Sequence, residues 1–209
     1  MKRLKVSSFV LCLSFFCLTA CGNRQKIAEE TQTTIATITQ QLNDIQSLES
    51  DLQTAWENDI DTDSKLTSYA HEKGEVFDNI KKRQELFATL KQSMNTLKSQ
   101  TSALEQIKDN KFPLSEIKIV TNYLKEITTN IDNYQKIAVP ELEQERSFFK
   151  TLNTTELKYE YLSDKLSELN TLAMARQEAL TPVIDPLVNV DKPLRIVKAR
   201  VSNLSSTNQ

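Results

Sequence analysis

Few side chains in this 209-residue sequence are placed to do chemistry, and the first is Cys21. It stands in Leu18-Thr19-Ala20-Cys21-Gly22, behind a start of Met1-Lys2-Arg3-Leu4-Lys5 and an uncharged stretch of 13 residues, 6–18. A basic start, a short apolar run and small residues at a cleavage point mark a secretory signal. A branched apolar residue, two small residues and then cysteine match the bacterial lipobox, in which the thiol is diacylglyceryl-modified and cleavage falls just before it. The apolar run is too short to cross a hydrocarbon core, which takes about 20 residues. The pattern therefore predicts removal of residues 1–20 and lipidation of Cys21; an ordinary signal peptide carrying a cysteine is the plainer alternative. Two acyl chains on one residue make a firm anchor, so the protein is expected on the outer face of a membrane. Cys12 and Cys17 leave with the signal, so no thiol remains for a disulfide, a metal or a nucleophile.

Three further groups invite a chemical reading. Asp59, Asp61 and Asp63 have the Asp-x-Asp-x-Asp spacing that opens a calcium loop. Such a loop needs Gly at its sixth position and a bidentate Glu at its twelfth; here those are Ser64 and Ala70. A solvated acidic turn is the better reading, and no metal is expected. Trp56, the single tryptophan, adjoins this turn. An exposed indole could stack on a sugar ring there, but Trp56 also continues an apolar helix face, which favours packing in the core. Lys192, Arg195, Lys198 and Arg200 form a basic patch with no acidic residue after Asp191. Beside Leu194, Val197 and Val201 it could meet anionic lipid or polymer; a helix with its apolar side on the bundle and a basic outer face is the plainer expectation.

No enzyme emerges from these residues. His71 is the single histidine, so neither a zinc set nor a histidine-based triad can be built. Acidic pairs occur along every segment, and nothing singles out two of them as a glycosidase acid and nucleophile. The expectation is a non-enzymatic protein without cofactor. Composition agrees: two glycines and five prolines are far below the roughly 12% usual for the two together. Phosphate-cradling loops and nucleophile elbows need positive-φ residues, so Rossmann and P-loop folds are excluded. With 26 basic and 28 acidic residues there is no basic field for nucleic acid. Cleavage removes three basic residues and leaves 189 residues with 23 basic and 28 acidic.

The elements that must position these groups are helices. Ile27, Ile35, Ile38, Leu42, Ile45, Leu48, Leu52 and Trp56 fall mostly at three- and four-residue steps, one face of a helix. That pattern ends over residues 58–64, with Ser64 as a candidate N-cap. A second segment is expected over 65–108, where Phe87, Leu90, Met94, Leu97, Thr101 and Leu104 form a heptad seam and Gly74 lies in the first turns. Pro113 separates it from a third, with Ile117, Val120, Leu124, Ile127, Ile131, Tyr134 and Ala138 in faultless 3-4 alternation. Pro140 is expected to kink or restart that helix. A fourth begins near a capping box of Asn153 and Glu156 and continues through Leu162, Leu166, Leu169, Ala173 and Leu180. Pro182, Pro186 and Pro193 are expected to break up the chain beyond it, ahead of a last amphipathic piece.

The predicted fold is all-α: an elongated antiparallel bundle of three to four long helices, coiled-coil-like, after a cleaved lipoprotein signal peptide. Its parts are the signal (1–20), an anchor and linker (21–26), the bundle (27–204) and a frayed tail (205–209). If neighbours run antiparallel, the turns at 58–64 and 152–155 lie at the tip distal to the membrane, and 110–113 and 179–186 return toward it.

Residues 143–152, Glu-Gln-Glu-Arg-Ser-Phe-Phe-Lys-Thr-Leu, and 162–170, Leu-Ser-Asp-Lys-Leu-Ser-Glu-Leu-Asn, resemble the aromatic-rich helix, turn and following helix of the YkyA-type cell-wall-binding lipoproteins of Gram-positive bacteria. A lipobox before one Gly-poor helical domain of this length is similar to them throughout; the three late prolines depart from the continuous last helix expected. The resemblance implies association with the cell wall and supplies no site residues. The expected partners are the membrane, through the Cys21 lipid, and cell-wall glycan or anionic wall polymer. An envelope protein bound through the helix faces is the alternative. A solute-capturing lipoprotein would need two α/β lobes, and no strand pattern is visible.

Overall fold

A helix with one apolar stripe must bury it against other helices, and this chain has four such stripes. The computed structural model describes residues 7–153 and 159–206, with side chains within 26–153 and 159–201. Its elements are α1 (Ser7–Thr62), a 3-10 turn (Thr67–His71), α2 (Glu75–Glu105), α3 (Leu114–Thr151), α4 (Tyr159–Asn189) and α5 (Asp191–Ser206). Among the described residues there is no strand.

Polar bridges fix the directions. Near the end of α1, Asp59 accepts from the Glu75 amide at 2.8 Å, and further back the Leu48 carbonyl accepts from Asn79 Nδ2 at 2.7 Å, so α1 and α2 are antiparallel. Arg83 meets Glu145, and Lys98 meets Asp132 at 2.7 Å, reversing the chain again into α3. Arg176 meets Glu141 at 2.6 Å while Asn130 reaches the Pro182 carbonyl, so α4 runs back along α3. Arg176 also pairs with Glu49, and Lys198 donates to Gln32, which closes the ring onto α1. The result is an all-α, up-down-up-down bundle, its fourth position shared in line by α4 and α5.

The two clean seams are its core. In α2, Phe87, Leu90, Met94, Leu97, Thr101 and Leu104 are all buried; the Thr101 hydroxyl is satisfied by donating to the Leu97 carbonyl at 2.7 Å. In α3, every residue of the stripe from Ile117 to Ala138 is buried. The 38 residues of α3 amount to about 57 Å of helix at ~1.5 Å per residue. Leu180, Val183, Leu194, Val197 and Val201 complete the core from α4 and α5.

The turns and prolines depart from the sequence expectation. α1 continues past Asn58 to Thr62, and Ser64 caps nothing; α2 starts at Glu75, ten residues after the expected 65, with Gly74 as its N-cap. Gly74 has φ +130°, and a Cβ there would stand 2.6 Å from Asp59 Oδ2. It is thus a close-approach residue at a helix start, not a weak point inside a helix.

Pro140 lies inside an unbroken α3, and Pro182 and Pro186 lie inside α4. A helical proline removes the donor to the carbonyl four residues earlier. Pro186 frees the Pro182 carbonyl, and Asn130 Nδ2 of α3 donates to it at 2.7 Å. Pro140 sits on the exposed side of α3. Pro193 falls in the first turn of α5, where its missing N–H has no helical acceptor. Between α4 and α5 the helical run is interrupted only at Val190, whose amide still donates to the Pro186 carbonyl at 3.1 Å. Residues 179–186 therefore lie partway along the bundle, and α5 completes the return. Glu156 of the capping box, the Cys21 and Leu204 side chains, and 207–209 of the tail lie outside the described residues.

Candidate functional site

Each stripe carries charge at an otherwise apolar register position. The 3-4 alternation of α1 runs Ile35, Ile38, Leu42, Ile45, Glu49, Leu52, Trp56 and Asp59. In α2 the seam extends back through Phe87 and Arg83 to Ile80. The α3 stripe continues as Ala138, Glu141, Glu145, Phe148 and Leu152, and α4 reads Leu169, Ala173, Arg176, Leu180 and Val183. The antiparallel fold brings Glu49, Arg83, Glu141, Glu145 and Arg176 to one level.

Arg83 is 1% exposed and is held on three sides. Its Nη1 donates to Glu145 Oε2 at 3.1 Å, its Nη2 meets Glu145 Oε1, and its Nε donates to Asn79 Oδ1 at 2.8 Å. Fork-to-fork pairing of this kind is what a guanidinium needs when it leaves water. Arg176 bridges two carboxylates, Nη1 to Glu141 Oε1 at 2.6 Å and Nε to Glu49 Oε1 at 3.1 Å. Three carboxylates thus face two guanidinium groups.

Satisfaction is incomplete on one side. Glu141 Oε2 and the Tyr134 hydroxyl are buried without a hydrogen-bond partner; Glu49 Oε1 has the ion pair but no aligned hydrogen bond. Burial pushes the Glu141 carboxyl up to about 7 even though Arg176 lowers it, and Glu145 and Glu49 add to the rise. Burial raises Glu49 as well, against the pull of Arg176 and Arg83. Tyr134 is also raised, first by burial and then by the Glu49 charge.

Beside this unsatisfied edge a cavity of about 370 Å³ opens between α1, α3 and α4. Leu52, Trp56, Phe148, Phe149, Leu166 and Leu169 form its apolar wall; Glu49, Glu141, Glu145 and Arg176 form its charged floor. Trp56 is half-buried, edge-on to Phe149 with centroids 6.3 Å apart, and its Nε1 is buried without a partner. It faces a cavity rather than standing as an open platform at the tip.

The three aspartates next to it do not converge. Asp59, 8% exposed, is no part of a solvated turn. It accepts from Tyr69 Oη at 2.9 Å and from the Glu75 and Val76 amides at 2.8 and 3.0 Å, tying the start of α2 to α1. Burial, with the Asp59 hydrogen bond second, pushes the Tyr69 hydroxyl up. Asp63 turns to the 3-10 segment and accepts from the Ser68 amide and the Thr67 hydroxyl, which hold its carboxyl below the usual range. Asp61 is exposed. Among the described residues no three His, Cys, Asp or Glu side chains converge on a metal position.

The basic patch is partly matched. Arg195 pairs with Asp191, Arg200 lies 3.6 Å from Glu116, and Lys198 donates to Gln32 at 3.3 Å, while Lys192 is exposed. Leu194, Val197 and Val201 beneath it are buried against the bundle. His71 is exposed in the 3-10 turn.

The sequence reading missed the cluster, and the signal for it was present: charged residues at seam positions in all four stripes. Among the described residues no helix is long and apolar enough to cross a membrane.

The fold is shared with a solved protein. A 1.6 Å crystal structure of a conserved protein of unknown function from Staphylococcus aureus is similar to this chain with a TM-score of 0.63 and 16% sequence identity. The similarity covers 94% of this chain and 97% of that one. No curated protein sequence matches significantly. A family model described as "YkyA: Putative cell-wall binding lipoprotein" matches residues 22–182, a span that holds the whole charge cluster and stops short of α5. Matched over most of its length, from the residue after Cys21 to the first proline of α4, the chain belongs to the YkyA family.

Proposed function

We propose that the protein is a lipid-anchored, non-enzymatic surface lipoprotein that binds the cell wall. The observation that carries this reading is the family match and where it starts: the matched region opens at residue 22, directly behind the lipobox cysteine. With residues 1–20 removed, a diacylglyceryl group on Cys21 would fix the new N-terminal end of α1 at the membrane. The turn over residues 63–74 and the end of α3, joined by Glu72 with Arg146 and Lys150, then face outward, a bundle length away. Tethering plus reach is the mechanism this shape supports.

The test is co-sedimentation of the purified protein with cell-wall sacculi, with and without their anionic polymers, at low and moderate salt. Saturable pelleting is expected, and loss of pelleting on removing the polymer or raising salt would assign the binding to charge rather than glycan. Absence of pelleting overturns wall binding. Replacing Cys21 by Ala should abolish lipid labelling; labelling that persists in that variant overturns the anchor. One observation favours a protein partner as the second reading. α4 leaves Tyr159, Met174, Ile184 and Val188 between 51% and 84% exposed, an unusual apolar load for one helix.

A further inference from the structure

We propose that the cavity beside Trp56 binds a small organic ammonium ion, whose charge supplies the cation that a cluster of three glutamates and two arginines lacks. Hydrogen-bond donors run short on one side of that cluster. Arg83 directs its donors to Glu145 and Asn79, and Arg176 directs its own to Glu49 and Glu141. Glu141, 3% exposed and lining the cavity, keeps Oε2 without a donor, and Glu49 Oε1 has its ion pair with Arg176 but no aligned hydrogen bond. A buried carboxylate oxygen left unpaired is costly, more so when charged, so an occupant that brings a donor and a positive charge is favoured there.

The chemistry of the walls narrows the class. An anion would meet excess carboxylate with both arginines already engaged. A metal ion would need converging ligands, which the described residues do not offer. A neutral sugar would leave the excess charge unbalanced. An ammonium group on a short apolar body fits both halves: donors and charge for Glu141 and Glu49, hydrocarbon for Leu52, Phe148 and Leu169. The Trp56 ring adds a face that attracts cations. With the cavity empty, a proton on Glu141 serves the same need, and the ligand and that proton compete. The site involves Glu141 and Glu145 of α3, Glu49 of α1, Arg83 of α2 and Arg176 of α4, so four of the five helices bear on it. It stands apart from wall binding, since no wall component is needed to fill it.

The test uses the full-length protein in detergent and follows the emission of Trp56, the only tryptophan. Butylammonium chloride is titrated against butanol as the neutral control. Saturable change with the amine and none with the alcohol is expected. Because burial holds the Glu141 carboxyl at about 7, affinity should weaken about tenfold between about pH 8 and pH 6, where the amine itself stays charged. Glu141→Gln should abolish the response, and Glu143→Gln, on the exposed side of the same turn, should keep it. An equal response to butanol, no saturation up to millimolar amine, or unchanged affinity in a helical Glu141→Gln protein overturns the proposal. If that variant does not fold, the wild-type pH series decides: affinity that does not weaken on acidification overturns it equally.

Discussion

Asp59 and Glu141 are two buried carboxylates in one bundle with opposite surroundings. Asp59 receives three donors, a tyrosine hydroxyl and two helix N-terminal amides, and neither oxygen is left over. Glu141 receives one arginine on Oε1 and nothing on Oε2. The first stabilises a turn by filling the orphan N–H groups at the start of α2. The second sits beside open volume with a shifted carboxyl. Burial alone does not tell a structural acid from an available one; the count of donors does.

The largest expected effect lies in the saturated half of the charge cluster. Arg83→Met leaves Glu145 buried without its cation and should cost about 3–5 kcal/mol in urea unfolding. Arg83→Met with Glu145→Leu should recover most of that. A double variant as unstable as the single one would show that the pair contributes more than the removal of mutual charge.

Asp59→Ala should cost about 2–3 kcal/mol, because it uncaps α2 and orphans the Tyr69 hydroxyl together. Gly74→Ala presses on the same carboxylate and should cost about 1–3 kcal/mol through its positive φ. Since both act on one contact, the double variant should fall short of the sum of the two; strict additivity would separate the glycine from the cap.

Glu141→Gln sharpens the contrast through pH. The Glu141 carboxyl is raised from 4.5 to about 7, so the folded protein binds its proton more tightly than the unfolded chain. Its contribution is favourable below the unfolded value and is lost as pH rises to about 7, on the order of 1–3 kcal/mol. Glu49 is shifted in the same direction. Stability of the wild type should decline across this window, and Glu141→Gln should flatten the decline in thermal melts at a series of pH values. A Glu141→Gln protein as destabilised as the Asp59→Ala protein would mean that the two acids are alike after all. The smallest effect is expected at Asn130. Asn130→Ala removes the donor to the Pro182 carbonyl and should cost about 1 kcal/mol.

The helices, their seams and most of their core are written in the order of the amino acids, because a 3-4 spacing of apolar residues leaves a helix one way to bury them. Phe87 to Leu104 and Ile117 to Ala138 needed no partner to be read. The same spacing held the charged seam positions, Glu49, Arg83, Glu141, Glu145 and Arg176. That these five share one level is a property of the folded chain, since it depends on the lengths of three connections and the register of three antiparallel pairings. Folding also carries Asp59 to α2 across a twelve-residue turn closed by Gly74, where acidic spacing had suggested only a solvated turn. And it accommodates Pro186 inside α4, since Asn130, 52 residues before Pro182 in sequence, supplies the Pro182 carbonyl with the donor that a local reading must count as missing.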